Sequence, residues 1–132
     1  MAVDGSKHSL KALEESLELA KKFKAKLWIC NVVHIHHPIL TATEAMAIES
    51  EFKKQKQVLE KCLKQAEKQK VKAATMALQG NPAQIIVEQA EKLECDAIVI
   101  GSRGIGALPR LLLGSVSDKV VHYAECTVVV VK

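Results

Sequence analysis

Short runs of β-forming residues alternate along this 132-residue chain with longer stretches whose apolar residues recur every three or four positions. That alternation points to βαβ units, because parallel neighbours need a crossover helix, and hence to an α/β sheet covered on both faces. From Ser6 to about Phe23, Leu10, Leu13, Leu17 and Ala20 form an apolar stripe, with Asp4 or Ser6 placed to cap the helix start. Leu27 to Val33 reads as a buried strand, and His34 to Ala42, which holds Pro38, as a loop. A long helix is expected from about Thr43 to Lys70, with Ile48, Phe52, Leu59, Leu63 and Ala66 on one stripe. Val71 to Leu78 follows as a weaker strand. Asn81-Pro82 starts the next helix, since Asn caps well and Pro is tolerated at the first helical position, and Ile86, Ala90 and Leu93 face inward. Asp96 to Ile100 reads as a central strand, Ser115 to Ala124 as a helix and Thr127 to Val131 as the last strand.

The length suits one domain spanning residues 1–132, able to bury about two-thirds of its surface. Hydrophobic residues at 48% and charged residues at 26% exclude disordered and collagen-like chains. No apolar run approaches the ~18 residues of a membrane helix, and Met1-Ala2-Val3-Asp4-Gly5 lacks the basic and apolar regions of a leader, so the expectation is a cytoplasmic protein with no membrane partner. Cys30, Cys62, Cys95 and Cys126 form no C-x-x-C pair and read as reduced, packed thiols. The net charge of +4 is concentrated in lysines between Lys53 and Lys72; with aromatics at 3% there is little to stack on bases, so this run reads as a solvated helix face and no nucleic-acid partner is expected. His34, His36 and His37 lack a third ligand at metal spacing and read as a solvated loop.

The stretch Gly101-Ser102-Arg103-Gly104-Ile105-Gly106-Ala107-Leu108-Pro109-Arg110-Leu111-Leu112-Leu113-Gly114-Ser115 lies after a strand and before a helix, at the carboxyl edge where open α/β sheets bind ligands. Glycines at a strand exit let backbone N–H groups approach an anion, and the helix starting near Ser115 adds free donors and a partial positive charge. Arg103 and Arg110, the two arginines of the chain, supply fork-shaped donors, while Ser115 and Ser117 offer hydroxyls to a phosphate or to Mg²⁺. The alternative is a glycine-bearing connection with surface arginines. A P-loop is excluded because no Gly-Lys-Ser/Thr occurs, and a dinucleotide fingerprint because Pro109 stands where the third glycine belongs.

The spacing Gly101, two residues, Gly104, nine residues, Gly114-Ser115 resembles that of the universal stress protein family. Ala2-Val3-Asp4-Gly5-Ser6 is similar to that family's first strand end, Gly80-Asn81-Pro82-Ala83 to its third-strand exit, and Cys126 to Val131 to its closing strand. The resemblance implies an α/β sandwich with a five-stranded parallel sheet in the order 3-2-1-4-5 and helices on both faces, and its ATP-binding branch. It implies that Asp4 contacts adenine or ribose, with Ala2, Val3 and the backbone of Val32 lining the adenine slot. It implies that Gly101, Arg103, Gly104, Gly114, Ser115, Val116 and Ser117 hold ribose and phosphates. Asp4 retains helix capping as an alternative role. Only Met1 to Val3 precede Asp4, short for a central strand, and a start further upstream is expected.

The function expected on this resemblance is a nucleotide-dependent stress-response or regulatory protein binding ATP, AMP or ADP, with Mg²⁺ as a companion. Cationic stabilisation is visible in the sequence; a metal-holding carboxylate is represented only by Asp118, so hydrolysis is expected to be slow or absent. The apolar last strand, Thr127 to Val131, invites edge pairing, and the resemblance implies a homodimer through it. The rivals are an interaction module with a vestigial pocket and a slow Mg²⁺-dependent ATPase.

Overall fold

A computed structural model describes residues 1–35, 41–105 and 112–132. Helix α1 (Lys7–Phe23) precedes strand β1 (Leu27–Val33), then α2 (Ala42–Lys68), β2 (Ala73–Gln79), α3 (Pro82–Lys92), β3 (Ala97–Gly101), α4 (Ser115–Tyr123) and β4 (Thr127–Val131). The strands form two parallel ladders, β1 with β2 in the register Leu27↔Ala73 and β3 with β4 in the register Ala97↔Thr127. Between them runs Met1–Val3. Ala2 bridges Cys30 on one side and Ile100 on the other, both in the parallel sense. Val3 N donates to Cys30 O (2.9 Å), Cys30 N to Met1 O (2.9 Å) and Ala2 N to Val99 O (3.1 Å). The spatial order is therefore β2, β1, Met1–Val3, β3, β4. Among the described residues there are four strands where the sequence suggested five, because the segment before Asp4 is long enough for a bridge and too short for a ladder of its own.

Side-chain alternation along these segments builds two cores. Val3, Leu27 and Ile29 join Leu13, Leu17 and Ala20 of α1 and Leu59, Cys62 and Ala66 of α2 on one face. On the other, Ala2, Cys30, Ile98 and Ile100 pack with Ala83 and Ile86 of α3 and Val120 of α4. Both helical faces are rotated from the expected stripes. Leu10 is 42% exposed, while Ala12 and Ser16 are buried, their small size letting α1 lie close to the sheet. The Ser16 hydroxyl is satisfied by Ala12 O at 2.6 Å. In α2 the buried positions are Gln55, Leu59, Cys62 and Ala66; Phe52 is 36% exposed, since the first half of this helix runs past the sheet with no core to cover. The helix begins at Ala42, earlier than expected, because Thr41 and Glu44 form a capping box.

Gly101 ends β3 where α1 begins. A Cβ built there would meet His8 C and Ser9 N at 2.7 Å, so only glycine lets the first turn of α1 lie on the strand exit. Gly101→Ala is expected to lower unfolding free energy by about 1–3 kcal/mol through overpacking, read as a reduced urea midpoint with an unchanged slope.

Candidate functional site

The carboxyl ends of all the strands open on one edge, where Asp4 leaves the sheet. Its carboxylate joins two segments distant in sequence: Oδ1 accepts Ser6 N–H at 2.9 Å and Oδ2 accepts Ile105 N–H at 2.9 Å. Ser6, and not Asp4, caps α1, with Oγ accepting from Ser9 N (3.3 Å) and donating to Arg103 O (3.2 Å). Burial pushes the Asp4 carboxyl up, but hydrogen bonds from Ser6, Ile105 and Ser9 outweigh it and hold the group below its ordinary value. The same proximity fixes Gly104, where a Cβ would stand 2.5 Å from Asp4 Oδ2.

The start of α4 closes the opposite wall. Its N-cap is Gly114, which offers no side chain to the first turn. Gly114 N donates to Ser102 O at 2.7 Å, and Asp118 N–H makes the first intrahelical bond, to Gly114 O at 2.9 Å. The N–H groups of Ser115, Val116 and Ser117 are thus left without intrahelical acceptors, at the positive end of the helix. Ser117 is 2% exposed, and its hydroxyl hydrogen is committed to Ser102 O (2.8 Å) or Gly114 O (3.0 Å). What Ser117 can offer an anion is its main-chain N–H, and of the two serines expected to offer hydroxyls only Ser115 is exposed.

These walls enclose a cleft of about 870 Å³, within the range of small-ligand sites. Ala2, Val3, Asp4 and Val32 line it from the centre of the sheet, and Gly101, Arg103, Gly104, Gly114, Ser115, Val116 and Ser117 from the β3–α4 side. The sequence reading missed the contribution of α2, which brings Lys54, Gln55 and Lys61 to the cleft, and it missed Asn31 of β1. Both amides had a signal: Asn31 interrupts an otherwise apolar strand, and Gln55 falls on the buried face of α2. Arg110, His36 and His37 lie outside the described residues. Asp118 is exposed and does not line the cleft, whereas His34 does. No group of three or more His, Cys, Asp or Glu side chains is arranged to hold a metal among the described residues.

The sequence model of the Universal stress protein family matches residues 1–132. A universal stress protein of Methanocaldococcus jannaschii is 41% identical over 132 residues, covering 98% of this chain and 78% of that one. Among solved structures, the universal stress protein UspA from Lactobacillus plantarum superposes with a TM-score of 0.91 at 26% identity, over 99% of this chain and 94% of that one. The universal stress protein from Archaeoglobus fulgidus in complex with dAMP superposes with a TM-score of 0.70 at 23% identity, over 99% and 94% of the two chains.

The Asp4 linkage makes stability pH-dependent with a defined sign. As the folded-state carboxyl titrates below the unfolded one, its contribution is complete well above the ordinary aspartate value of ~3.9 and is lost as pH falls through the lower folded value. Asp4→Asn is expected to be less stable than the parent at pH 7 by about 1–3 kcal/mol, the worth of hydrogen bonds to a charged acceptor. Urea unfolding at a series of pH values should show the gap closing below about pH 4.

Proposed function

The chain belongs to the universal stress protein family, and we propose that its cleft binds one adenine nucleotide, ATP, ADP or AMP, with Mg²⁺ accompanying the di- and triphosphate forms. The observation that carries this reading is the start of α4: three main-chain N–H groups without intrahelical acceptors, an N-cap without a side chain, and a glycine-bearing strand exit beside them on the same side of the cleft. Such an arrangement suits a phosphate and repays nothing to an apolar ligand. On this reading Gly101, Arg103, Gly104, Gly114, Ser115, Val116 and Ser117 hold ribose and phosphates, while Ala2, Val3, Asp4 and Val32 receive the base and sugar. The dAMP complex formed by a relative of the same fold agrees in ligand class.

Residues 1–132 act as one nucleotide-binding unit of the ATP-binding branch, and turnover is slow or absent. Asp4 supports that expectation, because both of its oxygens already accept backbone N–H groups. The unit works as a homodimer in the cytoplasm, in a stress-response or regulatory role, pairing through the outer edge of β4, which is bonded to β3 on its inner edge. No helix among the described residues is long and apolar enough to cross a membrane, and all four cysteines are free thiols.

Gly114 supplies the test. Its φ of −78° is open to any residue, and a Cβ would meet Arg103 Cα at 3.4 Å and Ser102 O at 3.5 Å, ordinary contacts. Gly114→Ala is therefore expected to fold and bind. Gly114→Val pushes the 102–104 loop from the start of α4 and separates the two backbone walls, and should lose at least tenfold in affinity. The reading is tested by calorimetric titration of ATP with Mg²⁺ into nucleotide-free protein, with one site per chain expected at micromolar affinity. Folded protein that gives no heat would leave the interaction-module reading. A monomeric mass in solution scattering at micromolar concentration would refute the dimer.

A further inference from the structure

All the strands run parallel, so the short connections that bring each helix back to the sheet lie together on the amino edge, opposite the cleft. Exposed charges are segregated along that edge. The connections into β1 and β2 carry Lys24, Lys26, Lys70 and Lys72, with Lys21, Lys22 and Lys68 in the helix turns before them, and Glu67 is the one carboxylate among residues 21–26 and 67–72. The connections into β3 and β4 carry Glu94, Asp96 and Glu125, with Glu91 beside Lys92 in the last turn of α3. The helix dipole accounts for the first group and not for the second: cations suit a helix C-terminus, whereas Glu91 and Glu94 stand at the negative end of α3 and Glu125 just beyond α4. Lys24, Lys70 and Glu94 moreover have φ of 52°, 59° and 50°, a left-handed conformation in which glycine meets no steric penalty.

Each half of the edge also carries an apolar feature. On the basic half Phe23, the last residue of α1, is 76% exposed between Lys22 and Lys24 and belongs to neither core. On the acidic half a second cavity, of about 270 Å³, lies between the ends of α3 and α4 and the starts of β3 and β4, with room for one aromatic ring. Ala90, Ile98 and Ala124 give it apolar walls, and the exposed Glu91, Glu94 and Glu125 border it. A protruding ring collared by ammonium groups and an apolar hollow collared by carboxylates complement one another in polarity and in charge.

We infer that the amino edge is a self-association surface, on which Phe23 of one copy enters the cavity bordered by Glu91, Glu94 and Glu125 of a second copy while the lysines beside the ring meet those carboxylates. A two-fold axis in the plane of the edge exchanges the two features, so the contact is reciprocal, each copy giving one Phe23 and receiving one. The contact is separate from the cleft and from the outer edge of β4, and it rests on neither the nucleotide reading nor the dimer proposed above. Its charged part is exposed and weakens with salt, while the enclosed ring is the anchor.

Sedimentation velocity on the full chain, across micromolar concentrations at low and at high salt, supplies the test. Whether the starting species is a monomer or a β4-paired dimer, the parent should double its mass with rising concentration at low salt and lose the doubling as salt is raised. Phe23→Ser, at an exposed position that leaves the cores intact, should weaken the association at least tenfold. Lys22→Glu with Lys24→Glu makes both halves of the edge acidic, and Glu91→Lys with Glu94→Lys makes both basic. Each of these double variants should stay at the lower mass alone, and an equimolar mixture of the two should associate again, an outcome that general damage to the fold would not produce. A parent whose mass never doubles overturns the inference. So does a doubling that survives Phe23→Ser and both charge reversals, or a pair of reversed variants that fails to associate on mixing.

Discussion

The hydrogen bonds of Met1–Val3 hold the sheet together. Without the bonds from Val3 N to Cys30 O and from Ala2 N to Val99 O, β1–β2 and β3–β4 would be two separate hairpin-sized pairs. A two-stranded pair is marginal in water. The segment also divides the apolar material, since Val3 enters the α1–α2 core and Ala2 the α3–α4 core. Because adjacent residues of a strand face opposite sides, a one-residue slip would exchange these two side chains and put the larger one where alanine is accommodated. The register therefore also determines where Asp4 emerges.

From that point a single carboxylate organises the edge. Asp4 draws the N–H groups of Ser6 and Ile105 to its two oxygens, so the first turn of α1 and the loop after β3 are held to a common centre. Ser6 repeats the connection through Arg103 O. These bonds explain two of the glycines by close approach: Gly104 faces the carboxylate and Gly101 faces the α1 backbone. Gly114 is explained by neither strain nor crowding at the Cβ level. What distinguishes it is its place as a bare N-cap at the cleft.

Much of this was legible in the sequence. The four helices and the strands β1, β2, β3 and β4 appear close to where periodicity put them, and the glycine spacing identified the edge on which the cleft lies. Three features were not legible, each for a physical reason. The burial of Ala12 and Ser16 in preference to Leu10 depends on how near α1 lies to the sheet, which spacing does not encode. That the short segment before Asp4 bridges a strand on each side was not legible, because pairing on both edges is a tertiary property. The role of α2 at the cleft is hidden because lysine and glutamine read as solvent-facing residues, and only the 55-59-62-66 spacing separates the buried Gln55 from its exposed neighbours.

The cleft is chemically asymmetric along its length. On the β3–α4 side the groups without intrahelical partners are donors, the main-chain N–H groups at a helix start. On the β1–α2 side the nitrogens of Asn31 and Gln55 are spent on carbonyls, so the two amides turn their oxygens outward beside Lys54 and Lys61. A ligand with negative charge at one end and N–H donors at the other meets complementary partners in one orientation, and in the reverse one it sets anion against carbonyl oxygen and amine against N–H. Lys54 and Lys61 of α2 also line the cleft. Lys54 is exposed and paired with Glu51, a contact that solvent and salt weaken, whereas the amide bonds beneath it are buried and fixed.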